Sequence, residues 1–128
     1  MALTNAQYDE IMRGYDKRQL QNKYIHDKRI EEAYRKAPRL REIDSEIASA
    51  SVRQAYRLMD GDENALAALR LAIDDYKEER AALLSTLGYP LDYFDPIYTC
   101  PDCHDTGYID GQKCHCFKQA IINTVYSQ

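Results

Sequence analysis

The chain has 128 residues, of which 30% are charged, and a formal net charge of −4. That balance argues against a primary DNA-binding role, because no broad positive field is available to release counterions from phosphate. No apolar stretch approaches the ~20 residues of a membrane span, and the N-terminal Met-Ala-Leu-Thr-Asn-Ala-Gln has no signal-peptide core, which points to the cytoplasm.

Thr4-x-x-Gln7 is a capping box, and Leu3 can staple against Tyr8. The first helix is expected from there to about Arg35. Its apolar pattern is clear at Tyr8, Ile11, Met12 and Tyr15. It is poor from Asp16 to Arg29, where Leu20, Tyr24 and Ile25 are the main anchors, so this stretch is an exposed long helix or an interrupted one. Lys17-Arg18 and Lys28-Arg29 have acidic neighbours and read as a solvated face. Pro38 suits the first position of a second helix. Leu40, Ile43, Ile47 and Ala50 form its apolar face, and Val52, Ala55 and Leu58 come after in a shifted phase. Asp60-Gly61-Asp62 stops that helix, and Asp62 can cap the next. In the third helix Leu66, Leu69, Ile73, Tyr76, Arg80, Leu83 and Leu87 form a heptad seam with one arginine on it. Gly88 and Pro90 end it. The short turn makes the second and third helices an antiparallel hairpin, whose seam is expected to pack internally and against the first helix in preference to an intermolecular dimer.

Residues 88–99 form an aromatic connector. Tyr93, Phe94, Ile97 and Tyr98 read as glue between the hairpin and the cysteine-bearing segment. Tyr93 and Phe94 are also the candidate partner-binding residues, since exposed aromatic patches mark interaction sites. Eleven tyrosines and no tryptophan suit either a thin helical assembly or a partner surface.

Cys100, Cys103, Cys114 and Cys116 are all the cysteines of the chain. Cys-x-x-Cys lets a tight turn aim two sulfurs at one point, and Pro101 presets one angle of that turn. Asp110-Gly111 is a two-residue hairpin signal that returns Cys114 beside the first pair. Cys116 can then open a helix, whose N-terminus favours a thiolate. The pattern is that of one tetrahedral zinc site without an open position, hence structural; His104 or His115 is the alternative to one cysteine. Lys113 and Lys118 can offset the charge of four thiolates. Disulfides would need an oxidising compartment, and a redox Cys-x-x-Cys would need a βαβ context. Phe117, Ile121, Ile122 and Val125 continue at helical spacing, as in a chain ending at a domain boundary. The expected fold is mainly α: long helices with an antiparallel helical hairpin, a small C-terminal zinc knuckle with a β-hairpin, and a terminal helix. Residues 1–90 form the helical arm and 91–128 the zinc-binding module. No phosphate loop, dinucleotide fingerprint or nucleophile–base pair is present in the sequence, so no enzymatic activity is expected.

The segment Tyr98-Thr-Cys-Pro-Asp-Cys-His-Asp-Thr-Gly-Tyr-Ile-Asp-Gly-Gln-Lys-Cys-His-Cys-Phe-Lys-Gln119 resembles the N-terminal region of bacterial replicative-helicase loaders of the DnaC/DnaI type, with their phage and mobile-element relatives. The opening Ala2 to Tyr15 and the Tyr89-Pro-Leu-Asp-Tyr93 stretch are similar to that group as well. The resemblance implies a helical, zinc-binding domain that grips the hexameric replicative helicase during replication initiation. It maps Cys100, Cys103, Cys114 and Cys116 to the metal, with a histidine ligand in some members. The ATPase half of those proteins, which binds nucleotide and single-stranded DNA, has no counterpart here, leaving a non-catalytic adaptor. Regulators of RNA polymerase of the DksA type also join a helical hairpin to a four-cysteine zinc module. Their acidic hairpin tip would correspond to Asp60-Gly-Asp62-Glu63, but their cysteine spacing differs. The zinc repeats of DnaJ-type chaperones share Cys-x-x-Cys-x-Asp-Thr-Gly, which they repeat and this chain carries once.

Overall fold

The structure is a computed structural model that describes residues 3–127. Among the described residues it contains, in chain order, α1 (Asn5–Lys36), α2 (Pro38–Met59), α3 (Ala65–Thr86), β1 (Tyr108–Ile109), β2 (Gln112–Lys113) and α4 (His115–Tyr126). The architecture is mainly α with a small antiparallel ribbon, as the sequence leads one to expect.

The capping box forms. Gln7 N donates to Thr4 Oγ1 at 3.1 Å, and Thr4 N donates to Gln7 Oε1 at 3.0 Å. This satisfies two N–H groups that a helix start otherwise leaves to water. α1 then runs uninterrupted to Lys36. It stops where Pro38 forces Ala37 out of the helical region, to φ −139 and ψ 89, and Pro38 opens α2. The expected anchors of the middle of α1 are not anchors: Leu20, Tyr24 and Ile25 are 69%, 64% and 45% exposed.

On α2, Leu40, Ile43 and Ala50 are buried and Ile47 is half-buried, so the apolar face falls where its spacing placed it. α2 ends in a Schellman motif. Asp62 N donates to Arg57 O at 3.0 Å and Gly61 N to Leu58 O at 3.1 Å, with Gly61 at φ 93, a conformation costly for any residue with a Cβ. Asp62 receives the Asn64 N–H at 2.9 Å, two residues on, while the helix proper begins at Ala65. The same pattern of bonds, Tyr89 N to Leu84 O and Gly88 N to Ser85 O, ends α3. Leu69, Ile73, Tyr76, Arg80, Leu83 and Leu87 are half-buried as the seam requires, but Leu66 is 48% exposed; Ala65 and Leu84 are the fully buried positions. α2 and α3 run antiparallel, cross-linked by Arg39 to Glu79 (2.6 Å) and by Arg80 to Asp44.

The chain divides into two compact units: Met1–Asp27 with Asp95–Gln128, and Lys28–Phe94. α1 contributes to both. This grouping differs from a boundary at residue 90, because the first part of α1 belongs with the cysteine module. In the first unit Ile11 and Tyr15 are buried with Cys100, Cys103, Cys114 and Phe117. In the second, Ala33, Leu40 and Leu84 form the core, flanked by Tyr34, Tyr89, Tyr93 and Phe94.

Candidate metal centre

The four cysteines reach one point by short, specific pieces of backbone. Asp110 at φ 51 and Gly111 at φ 79 make the two-residue turn, and β1 and β2 pair in the register Tyr108 with Lys113 and Ile109 with Gln112. Cys114 leaves the ribbon with its N–H on Gly107 O at 2.8 Å, and it is also the residue that precedes α4. Cys116 is therefore in the first turn of α4, where free backbone N–H groups favour negative charge.

The sulfurs are clustered. Cys100 Sγ lies 3.8 Å from Cys114 Sγ, Cys103 Sγ lies 3.6 Å from Cys116 Sγ, and all four lie within 4.8 Å of one another. A disulfide needs about 2.05 Å between sulfurs, and the cysteines are free thiols. A tetrahedral ion with metal–sulfur bonds of ~2.3 Å separates its ligands by about 3.8 Å. The cluster thus has the dimensions of a four-thiolate metal site and could hold a metal ion.

The two histidines considered as alternative ligands, His104 and His115, are placed differently. His104, at φ 53, stacks on Tyr98 with ring centroids 4.2 Å apart. His115 Nε2 is 2.7 Å from Asp102 Oδ2 and 3.9 Å from Cys100 Sγ, on the exposed side of the cluster. Cys100, Asp102 and His115 form a second, more exposed grouping of ligand-type side chains that shares one sulfur with the first.

The thiols titrate unequally. Burial alone would push the Cys103 thiol up, but the Gly107 N–H at 3.4 Å and the neighbouring sulfurs bring it down to about 7. Burial pushes Cys116 up to about 12, against the Tyr15 hydroxyl 2.9 Å from its sulfur. At Cys114 the Cys116 N–H favours the thiolate, and burial together with the Cys100 and Cys103 sulfurs outweighs it. Four thiols this close shed their protons together only when a cation replaces them.

Side chains that spacing arguments did not single out hold the knuckle. Asp105 is 1% exposed, and its carboxylate accepts Cys100 N at 2.8 Å, Thr99 N at 2.9 Å and Asn22 Nδ2 at 3.0 Å. Burial opposes its charge, yet these donors hold its carboxyl below the usual carboxylate range. Gln19 Nε2 donates to the Asp105 carbonyl at 2.7 Å. Tyr15, Gln19 and Asn22 therefore form the face of α1 that meets the cysteine loops, and its latter part is polar. An apolar-period search misses it. The legible signal is the Tyr15, Gln19, Asn22 spacing itself, one helix face carrying hydrogen-bonding groups. Gly107 is the other unflagged position: at φ 86, a Cβ there would fall 2.9 Å from Phe117 Cδ2 and 3.0 Å from the Tyr15 ring.

Tyr93 and Phe94 lie in the other unit. Tyr93 stacks on Tyr89 at 4.1 Å, with the Arg29 guanidinium 5.3 Å from its ring, and Phe94 meets Tyr34 edge-on at 6.0 Å. Both are half-buried against the core of Lys28–Phe94. No helix among the described residues is long and apolar enough to cross a membrane. Compared with family models, with curated proteins and with solved structures, the chain gives no significant match.

Proposed function

We propose that the chain binds one zinc ion through Cys100, Cys103, Cys114 and Cys116, and that the zinc-bearing unit is a non-catalytic adaptor that binds a replicative DNA helicase during replication initiation. The observation that carries the metal assignment is the four-sulfur cluster, with all sulfurs within 4.8 Å of one another and two of the pairs at 3.6 and 3.8 Å. An all-thiolate donor set suits zinc over the harder cations, and four protein ligands leave no position for catalysis. Support for the helicase as partner comes from the resemblance of Tyr98 to Gln119 to the helicase-loader domains. The metal site stands within the same unit as the opening segment of that resemblance.

Metal analysis of the purified chain should give one zinc per chain. Pull-down against the helicase of the same host or element should capture it, and Cys100→Ser should lower both. Substoichiometric metal with freely titratable thiols overturns the first half of the proposal. Failure to capture the helicase by zinc-loaded protein overturns the second.

One observation favours a second reading. Asp60, Asp62 and Glu63 are exposed at the turn of the α2–α3 hairpin, the arrangement a DksA-like regulator of RNA polymerase would need. An effect on transcription that is lost on replacing Asp60 and Asp62, in a chain that does not bind the helicase, selects that reading.

A further inference from the structure

Each half of the cysteine motif carries one further ligand-type residue between its thiols: Asp102 in Cys100-Pro-Asp-Cys103 and His115 in Cys114-His-Cys116. The convergence of the sulfurs brings these two side chains together on the rim of the cluster. His115 Nε2 lies 2.7 Å from Asp102 Oδ2 and 3.9 Å from Cys100 Sγ, and the three ligand atoms lie within 4.8 Å of one another. Cys100 and His115 both line one open groove, with Pro101 and Gln119, so an ion in solvent reaches the sulfur beside the imidazole.

The Asp102–His115 contact by itself does little for the fold. The two side chains are 59% and 70% exposed, and exposed ion pairs stabilise weakly. Charge gives the contact a different use. Four thiolates around one divalent ion keep two negative charges in excess, and the Asp102 carboxylate adds a third. The nearby cations are turned to rings: Lys113 lies over Phe117 at 5.6 Å and Arg18 over Tyr15 at 4.3 Å. Among the described residues Asp102 has no lysine or arginine partner. The donors beside Cys100 are an imidazole nitrogen and a carboxylate oxygen, and with a thiolate they suit zinc over magnesium or calcium. Tetrahedral zinc separates a sulfur and a nitrogen ligand by about 3.6 Å, close to the 3.9 Å found. It separates nitrogen and oxygen ligands by about 3.3 Å. The 2.7 Å hydrogen-bonded pair need open only by a fraction of an ångström, which two exposed side chains allow.

Resting on the four-thiolate reading, we propose that Cys100, Asp102 and His115 form a second zinc site, with the Cys100 thiolate bridging two ions and solvent completing the shell of the outer one. Three protein ligands hold the outer ion more loosely than four thiolates hold the inner, so purification retains only the inner. Equilibrium dialysis of the purified chain against rising Zn2+ should bring it to two ions per chain. His115→Ala and Asp102→Asn should keep the tight ion and weaken the second at least tenfold. Co2+ added to the zinc-loaded chain, with the tight zinc still bound, should show sulfur-to-cobalt charge-transfer absorption that His115→Ala abolishes. A chain that keeps one ion and takes no second overturns this proposal alone. A chain that retains no tight ion overturns the four-thiolate reading with it. A second ion bound equally well by both variants overturns the proposal, as does second-site Co2+ without the sulfur absorption. So does loss of the tight ion in His115→Ala, which makes His115 a ligand of the first site.

Discussion

Gly107 and Asn22 show how single residues hold the four-cysteine cluster in place. The Gly107 N–H points at Cys103 Sγ, and the absence of a side chain lets Phe117 and Tyr15 close over it. Gly107→Ala combines a left-handed backbone with a 2.9 Å contact to Phe117. It should therefore destabilise the first unit by at least ~1 kcal/mol, read as a lower melting temperature and faster zinc loss to a chelator. Asn22 gives one amide to both Thr99 Oγ1 and the Asp105 carboxylate, each at 3.0 Å. Asn22→Ala leaves a buried carboxylate short of a donor, at a cost of about 1–3 kcal/mol. The same melting curve, with the zinc content held at its wild-type level, measures it. An unchanged curve would mean that water replaces the amide at no cost.

The α2–α3 hairpin carries its own stabilisation. Its seam is apolar at Leu40, Ile43, Leu69, Ile73 and Leu84, and Arg39 reaches Glu42, Glu46 and Glu79 at once. Asp44 takes both the Tyr34 hydroxyl and the Arg80 guanidinium, which explains why an arginine is tolerated on the seam. The end of α1 and the aromatic connector complete this unit through Ala33, Tyr34, Tyr93 and Phe94. Because Tyr93 and Phe94 are half-buried against its core, Tyr93→Ala and Phe94→Ala should lower the melting temperature, Phe94→Ala by about 2 kcal/mol of stability, below the 3–5 kcal/mol of a fully buried ring. Helicase capture measured well below that melting temperature separates an internal role for these rings from a partner-binding one. Lost capture by folded protein would place them on the partner surface.

At the scale of the whole molecule, two units of different construction share one helix. The unit of Met1–Asp27 with Asp95–Gln128 has a small core in which three of the six buried residues are the clustered cysteines Cys100, Cys103 and Cys114. Small modules of that kind derive their folding free energy from the metal. The unit of Lys28–Phe94 has an ordinary helical seam. Chelation should therefore collapse the knuckle and α4 and free the Tyr15–Asn22 face of α1, while α2 and α3 stay helical. Circular dichroism should retain most of the helical signal, and hydrogen exchange should report the loss of protection in residues 100–126. Loss of most helicity on chelation would show that the second unit depends on the metal too. Lowering the pH should act in the same direction as chelation, since protons compete with the cation for the thiolates.

Local chemistry was legible in the sequence because it depends on neighbours in the chain. The Thr4–Gln7 capping box, the break at Pro38, the Gly61 and Gly88 helix ends, the Asp110-Gly111 turn and the convergence of Cys100, Cys103, Cys114 and Cys116 each arise from residues close to one another in the chain. What touches what at long range was decided only by the tertiary structure. Leu20, Tyr24 and Ile25 looked like the inward residues of α1, since apolar side chains are the ones water most readily drives inside. The loop that α1 meets there offers instead a buried residue with a carboxylate and a carbonyl, Asp105, so Gln19 and Asn22 hydrogen-bond to it and the apolar residues face out. Leu66 and Ala65 both sit near a three-and-four seam. The fold buries the smaller one and leaves Leu66 exposed, a choice that spacing along the helix does not make.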